Sequence, residues 1–134
     1  MAVTEQAAAI ERARKGYTAF DAGDVPTVQD LIAEDAVWHV GGKSRYAGDY
    51  RGKQAIFEFF GRMMQEGFVQ KHDLHDILAN DQHTVVLANV TATYQGKTIN
   101  GQVVDVLHRN ADGDLTEYWR ISSDQPTFDE LIGS

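Results

Sequence analysis

From Thr4 to Ala22 apolar residues recur at Ile10, Ala13, Tyr17 and Phe20. That three-or-four spacing predicts a helix with one buried stripe, which Thr4 can cap at its start and Gly23 at its end. Asp24 can cap a short second helix, with Pro26 tolerated in its first turn and Val28, Leu31 and Ile32 facing inward. Ala36-Val-Trp-His-Val40 is rich in β-formers and ends at Gly41-Gly42, which predicts a strand. The stretch that follows, to Gly52, reads as a loop or short hairpin partner carrying Tyr46 and Tyr50. Between Lys53 and Glu66, Ile56, Phe57, Phe60, Met63 and Met64 return to helical spacing, and Gly67 is suited to stop that third helix.

The second half changes period. His72 to Leu78, Thr84 to Tyr94, Thr98 to Arg109 and Leu115 to Ile121 are strand-like runs divided by Asn80-Asp81, Gln95-Gly96-Lys97 and Asp112-Gly113-Asp114, which have turn chemistry. Pro126 to Ile132 suits one last helical turn or two. Helices followed by a meander of long antiparallel strands are an α+β order, and helices gathered on one face of a curved sheet enclose a pocket.

At 134 residues the chain has the length of one domain, 1–134. With 43% hydrophobic residues it can build a core without staples. Its 12 Lys and Arg against 20 Asp and Glu leave a formal net charge of −8, which argues against nucleic acid and anionic membrane surfaces as partners. There is no cysteine, which excludes disulfides, thiolate metal sites and thiol nucleophiles. The first residues lack the basic and apolar regions of a signal peptide, and no apolar run approaches the ~20 residues of a membrane span, so the expectation is a cytoplasmic protein.

Several segments carry a family resemblance when taken in order. Phe20-Asp-Ala-Gly-Asp24 closes the first helix, Leu31-Ile-Ala-Glu-Asp-Ala-Val37 enters the first strand, and Gly52-Lys-Gln-Ala-Ile56 opens the third helix. Tyr94-Gln-Gly-Lys97 follows, then Asp105, then Asp112-Gly-Asp-Leu-Thr-Glu-Tyr-Trp119. Over nearly its whole length the chain resembles the ketosteroid isomerase-like and SnoaL-like polyketide cyclase branch of the nuclear transport factor two superfamily. The resemblance implies a cystatin-like roll: a cone-shaped, strongly curved, mainly antiparallel sheet packed against three helices, with an apolar pocket in the cone. It also implies a homodimer through the outer sheet face. Val104 and Val106, alternating with Val103 and Leu107, agree with a strand covered on both faces.

The same comparison sets Asp105 at the isomerase's oxyanion-hole aspartate, Val40 at its proton-abstracting aspartate, and Gly16, one position before Tyr17, at its oxyanion tyrosine. Valine accepts no proton, so authentic ketosteroid isomerase activity is not expected. On the last strand the family register points Tyr118, Arg120 and Ser122 into the pocket and Trp119 and Ile121 away. An arginine in an apolar cone needs an anion, and Asp105 is the candidate; paired, it is ionised. Such an Asp–Arg set also resembles limonene epoxide hydrolase, for whose second aspartate only Glu117 and Asp124 lie nearby in sequence. A structural ion pair tying two strands is the alternative.

The expected catalytic set is therefore Asp105, Arg120, Tyr118 and His39, with His39 as proton carrier. Strict alternation points His39 outward, so that role requires a bulge toward Gly41-Gly42. Trp38, Val40, Tyr17, Phe20, Phe60, Met63, Val103, Leu107 and Ser122 are the expected substrate-contacting residues, while Tyr46 and Tyr50 offer further hydroxyls. His72 and His75, beside Asp73 and Asp76, are three apart on a strand and point to opposite faces, so no metal site is expected. His83 reads as a solvated turn residue and His108 as a dimer-face residue. The resulting expectation is a cofactor-independent enzyme performing acid/base chemistry, of isomerase, cyclase or dehydratase type, on a small hydrophobic oxygenated molecule. The alternatives are an epoxide hydrolase and a non-catalytic ligand-binding or dimerisation domain.

Overall fold

The computed structural model describes residues 3–134, with side chains from Glu5 onward; the expected Thr4 cap lies outside them. Helix α1 (Val3–Ala22) ends at Gly23, whose φ of 72° is open to glycine at little cost. There the Gly23 N–H bonds to the Phe20 carbonyl and the Asp24 N–H to the Ala19 carbonyl, the paired closure of a left-handed helix end. Asp24 then caps α2 (Val25–Leu31), its carboxylate accepting from the Thr27 N–H and hydroxyl.

Ile32, expected on the second helix, instead starts β1 (Ile32–Val40). It is β-branched, its backbone is extended, and it pairs with Leu115, so sheet contact overrides the helical spacing. Strand β2 (Gly48–Arg51) forms a hairpin with β1, and α3 (Lys53–Gln65) follows, ending before Gly67. The remaining chain is the meander β3 (Val69–Ala79), β4 (His83–Tyr94), β5 (Lys97–Arg109) and β6 (Leu115–Ser122). All six strands form one curved sheet in the order β2-β1-β6-β5-β4-β3, antiparallel throughout except for the β1–β6 pair.

Where the sequence predicts a helical turn or two, the chain makes a fourth helix, α4 (Gln125–Ile132), capped by Asp124 with Pro126 in its first turn. Its Phe128 is buried over Gly101 of β5: a Cβ at residue 101 would lie 2.6 Å from the Phe128 ring, so this approach requires glycine. Along β4 Thr84, Val86, Ala88, Val90 and Ala92 are buried while their neighbours are not, which fixes the inner face of the sheet. Val103, Asp105 and Leu107 occupy the same phase on β5, opposite Ser122, Arg120 and Tyr118 of β6. Among the described residues no helix is long and apolar enough to cross a membrane.

Candidate active site

Between the inner face and the helices lies a cavity of about 200 Å³. Tyr17, Phe20, Trp38, Val40, Phe60, Met63, Val103, Leu107 and Ser122, the nine residues predicted to contact substrate, all line it, as do Tyr118 and Arg120. Trp38 and Tyr118 are register partners across the parallel β1–β6 pair, and their rings stack at 3.7 Å. Phe60 closes on Trp38 edge to face at 5.0 Å. The walls are thus largely aromatic, and of the polar residues that border the cavity, Arg12, Ser44, Thr84, Arg109 and Gln125 lie apart from a hydrogen-bonded cluster around Arg120.

That cluster is a continuous chain of hydrogen bonds. Asp105 and Arg120 face each other across β5 and β6, with Nε of Arg120 donating to Oδ1 at 2.7 Å and Nη2 to Oδ2 at 2.9 Å. The Tyr17 hydroxyl from α1 donates to the same Oδ2. With both oxygens accepting from a guanidinium, Asp105 is a carboxylate, the reverse of the neutral donor found in ketosteroid isomerases. Burial opposes the Arg120 charge, but the neighbouring Tyr118 and then Asp105 outweigh it and raise the pKa above the ordinary arginine value. Burial first, and then the Asp105 charge, hold the Tyr17 hydroxyl protonated well above pH 10. Burial likewise pushes Tyr118 up, so both phenols remain donors.

The chain continues through three residues, Gln70, His72 and Asp21, that are not among those expected in the site. Arg120 Nη1 donates to Gln70 Oε1 at 2.7 Å, and Nη2 lies 2.9 Å from His72 Nε2. A guanidinium only donates, so Nε2 of His72 accepts and the proton sits on Nδ1, which donates to Asp21 Oδ1 at 2.7 Å. Asp21 also accepts the His72 backbone N–H at 2.7 Å. Burial, with the Arg120 charge second, lowers the His72 pKa, so the ring is neutral with its lone pair aimed at Arg120. The Asp21–His72–Arg120–Asp105–Tyr17 chain therefore holds a fixed tautomer at one end and a locked carboxylate at the other.

Two expectations are corrected. Asp105 does not line the cavity: it is fully buried, and Tyr17 and Arg120 cover its carboxylate. His39 borders the cavity by its place on β1, but no bulge turns its ring inward. Its Nδ1 lies 2.7 Å from Asp49 and its Nε2 2.8 Å from Glu117, and the ring stacks on Trp119 at 4.9 Å on the outer face. Both nitrogens are engaged by carboxylates, so His39 is not placed to carry protons in the cone. The sequence candidates for a second aspartate also go elsewhere, Glu117 to His39 and Asp124 to the α4 cap. Tyr46 donates to Glu66 at 2.6 Å and Tyr50 to the Tyr46 carbonyl at 2.8 Å, which leaves Tyr17 and Tyr118 as the hydroxyls of the cluster.

His39 and its two carboxylates set a pH dependence of their own. Burial opposes the charge of His39, but hydrogen bonds to Glu117 and Asp49 outweigh it and raise its pKa above 6.5. The folded state then binds a proton more tightly than the unfolded chain. The resulting stability is fully present below about pH 6.5 and is lost as pH rises through the raised value. His39→Gln is expected to remove that decline, seen as a smaller loss of Tm between slightly acid and alkaline buffer. An unchanged Tm profile would discount the two carboxylates.

The model of the SnoaL-like domain matches residues 13–118, most of the chain. The chain belongs to the SnoaL-like family. Bal32a from a soil-derived mobile gene cassette is 33% identical to this SnoaL-like chain over 93% of it and 96% of Bal32a, with a TM-score of 0.84. A protein of unknown function with cystatin-like fold from Xanthomonas campestris is 26% identical, covering 94% and 98% of the two chains at a TM-score of 0.85. An LEH-like epoxide hydrolase from M. tuberculosis, 19% identical over 96% and 92% at a TM-score of 0.76, shares the fold. No curated protein matches. Val40 and Gly16, which the resemblance sets at the isomerase's base and tyrosine, line the wall of the SnoaL-like cavity, and neither transfers a proton.

Proposed function

We propose that this SnoaL-like protein is a cofactor-independent enzyme that binds a hydrophobic, oxygenated small molecule in the cone and carries out proton transfer on it, with isomerisation or cyclisation as the outcome. The observation that carries this reading is the Asp21–His72–Arg120–Asp105–Tyr17 chain set against a mainly apolar cavity. Arg120, kept charged by Asp105, and Tyr118 donate to a substrate carbonyl. His72 Nε2 takes a proton from the adjacent carbon once that oxygen draws Nη2 away. The C–H electrons become the enolate double bond, and the oxyanion charge rests on Arg120 and Tyr118. Returning the proton to another carbon gives an isomer; attack of the enolate on a second carbonyl of the substrate forms the C–C bond of a ring, and the alkoxide made from that carbonyl takes the proton back from His72. Two copies pair through the outer sheet face, where Val104, Val106 and Trp119 lie beside the exposed Ile121.

An epoxide hydrolase reading requires a carboxylate that activates water, and Asp105 is covered. The test is a thermal-shift screen with ketones, lactones, phenols and epoxides, run on the wild type and on Asp105→Leu/Arg120→Met, which removes both charges together. Carbonyl or phenol ligands are expected to raise the wild-type Tm by mass action and to leave the double variant unmoved. Equal shifts in both proteins would sink the reading. Diol formation with oxygen-18 from labelled water would replace it with hydrolysis.

A further inference from the structure

Three of the five large apolar side chains exposed among the described residues, Val25, Met64 and Val69, gather around a single groove. The groove, about 170 Å³, is bounded by the end of α1, by α2, by α3 and by the start of β3. Five apolar residues, Phe20, Val28, Phe60, Met63 and Phe68, belong to groove and cavity alike. At this shared wall Phe20 and Phe60 meet edge to face at 5.2 Å, and Phe60 meets Phe57 in the groove at the same distance. Gln70 is also common to both spaces, and its Oε1 holds Arg120. Asp21, the end of the polar chain, and Asp24 border the groove on the α1 side, and the rest of its lining is mainly apolar and leads out to the exposed lip. Concentrated apolar exposure of this kind marks a binding surface, and only one layer of side chains, Phe20 and Phe60 among them, separates it from the cavity, which points to an occupant shared by the two spaces.

We infer that the groove receives the hydrocarbon tail of the molecule whose oxygen Arg120 holds, so that the substrate class is an elongated amphiphile with an oxygenated head and a chain too long for the cavity alone. The inference rests on the function proposed above for Arg120. Phe20 and Phe60 are the rings that part to admit the chain, and Met64 and Val69 cover its outer end.

Calorimetric titration with 2-alkanones of about five to about thirteen carbons tests it, because each methylene that becomes buried tightens binding about fourfold. The proteins compared are the wild type and Met64→Glu/Val69→Glu, both substitutions falling on exposed positions. The expected result is equal affinity of the two proteins for the short ketones, with the wild type alone continuing to gain as the chain lengthens. If short ketones bind but the gain stops at the same length in both proteins, the tail site is refuted and the Arg120 anchor stands. If no ketone of any length binds, the anchor itself is overturned and the tail site with it.

Discussion

Asp105→Leu is expected to lower the unfolding free energy by about 3–5 kcal/mol, because it leaves the Arg120 guanidinium buried without its counter-charge. The loss has two parts. Arg120 forfeits the bidentate contacts at 2.7 and 2.9 Å, and the buried Tyr17 hydroxyl forfeits its acceptor. Asp105→Leu/Arg120→Met is expected to recover much of that loss, since removing both charges also removes their desolvation cost. Urea denaturation reads the effect as a lower midpoint at unchanged slope for the single variant, and a midpoint closer to the wild type for the double. A single-variant loss below about 1 kcal/mol would mean that the pair behaves like an exposed one and that the cluster does not organise the sheet.

His72→Gln is expected to lower turnover by about 10²–10⁴-fold once a substrate is in hand, the usual worth of a positioned acid/base group. The carboxamide keeps a polar side chain at that position while offering no basic nitrogen. Asp21→Asn should lose most of the same factor. An asparagine there can present an N–H to Nδ1, which reverses the tautomer and takes the lone pair from Nε2. The pH profile separates this from a structural effect. Burial and the Arg120 charge lower the His72 pKa, so the acid limb of kcat/KM should fall below pH 6.5, with activity flat above it. Wild-type rates in His72→Gln would remove His72 from the chemistry.

The sheet was legible because one of its faces is buried. The register implied by the family resemblance points Tyr118, Arg120 and Ser122 inside and Trp119 and Ile121 outside, and a central strand cannot slip by one residue from it without turning its apolar set to water. Alternation points His39 outward, and the bulge toward Gly41-Gly42 that its proton-carrying role requires does not turn the ring inward. In the sequence His72 stands out only as half of a candidate metal pair with His75. The signal that could have found it is that Gln70 and His72 put two polar residues in the same phase as Leu74, ahead of a register shift before Asp76. The Asp21 contact joins residues 51 apart through the docking of α1 on β3, which no spacing rule reports. Concealment of Asp105 likewise depends on where α1 delivers the Tyr17 hydroxyl.

The parallel β1–β6 pair bears on how the chain reaches its final state. Strands β3 to β6 can zip up as successive hairpins from neighbouring segments, but β1 finds its partner only after the last strand has been made. Closure of the ring stack between Trp38 and Tyr118 is thereby a late event governed by a long loop, which slows folding relative to the local hairpins. Indole emission from Trp38 would follow that final docking in a refolding experiment, after the hairpins have already registered in the far ultraviolet.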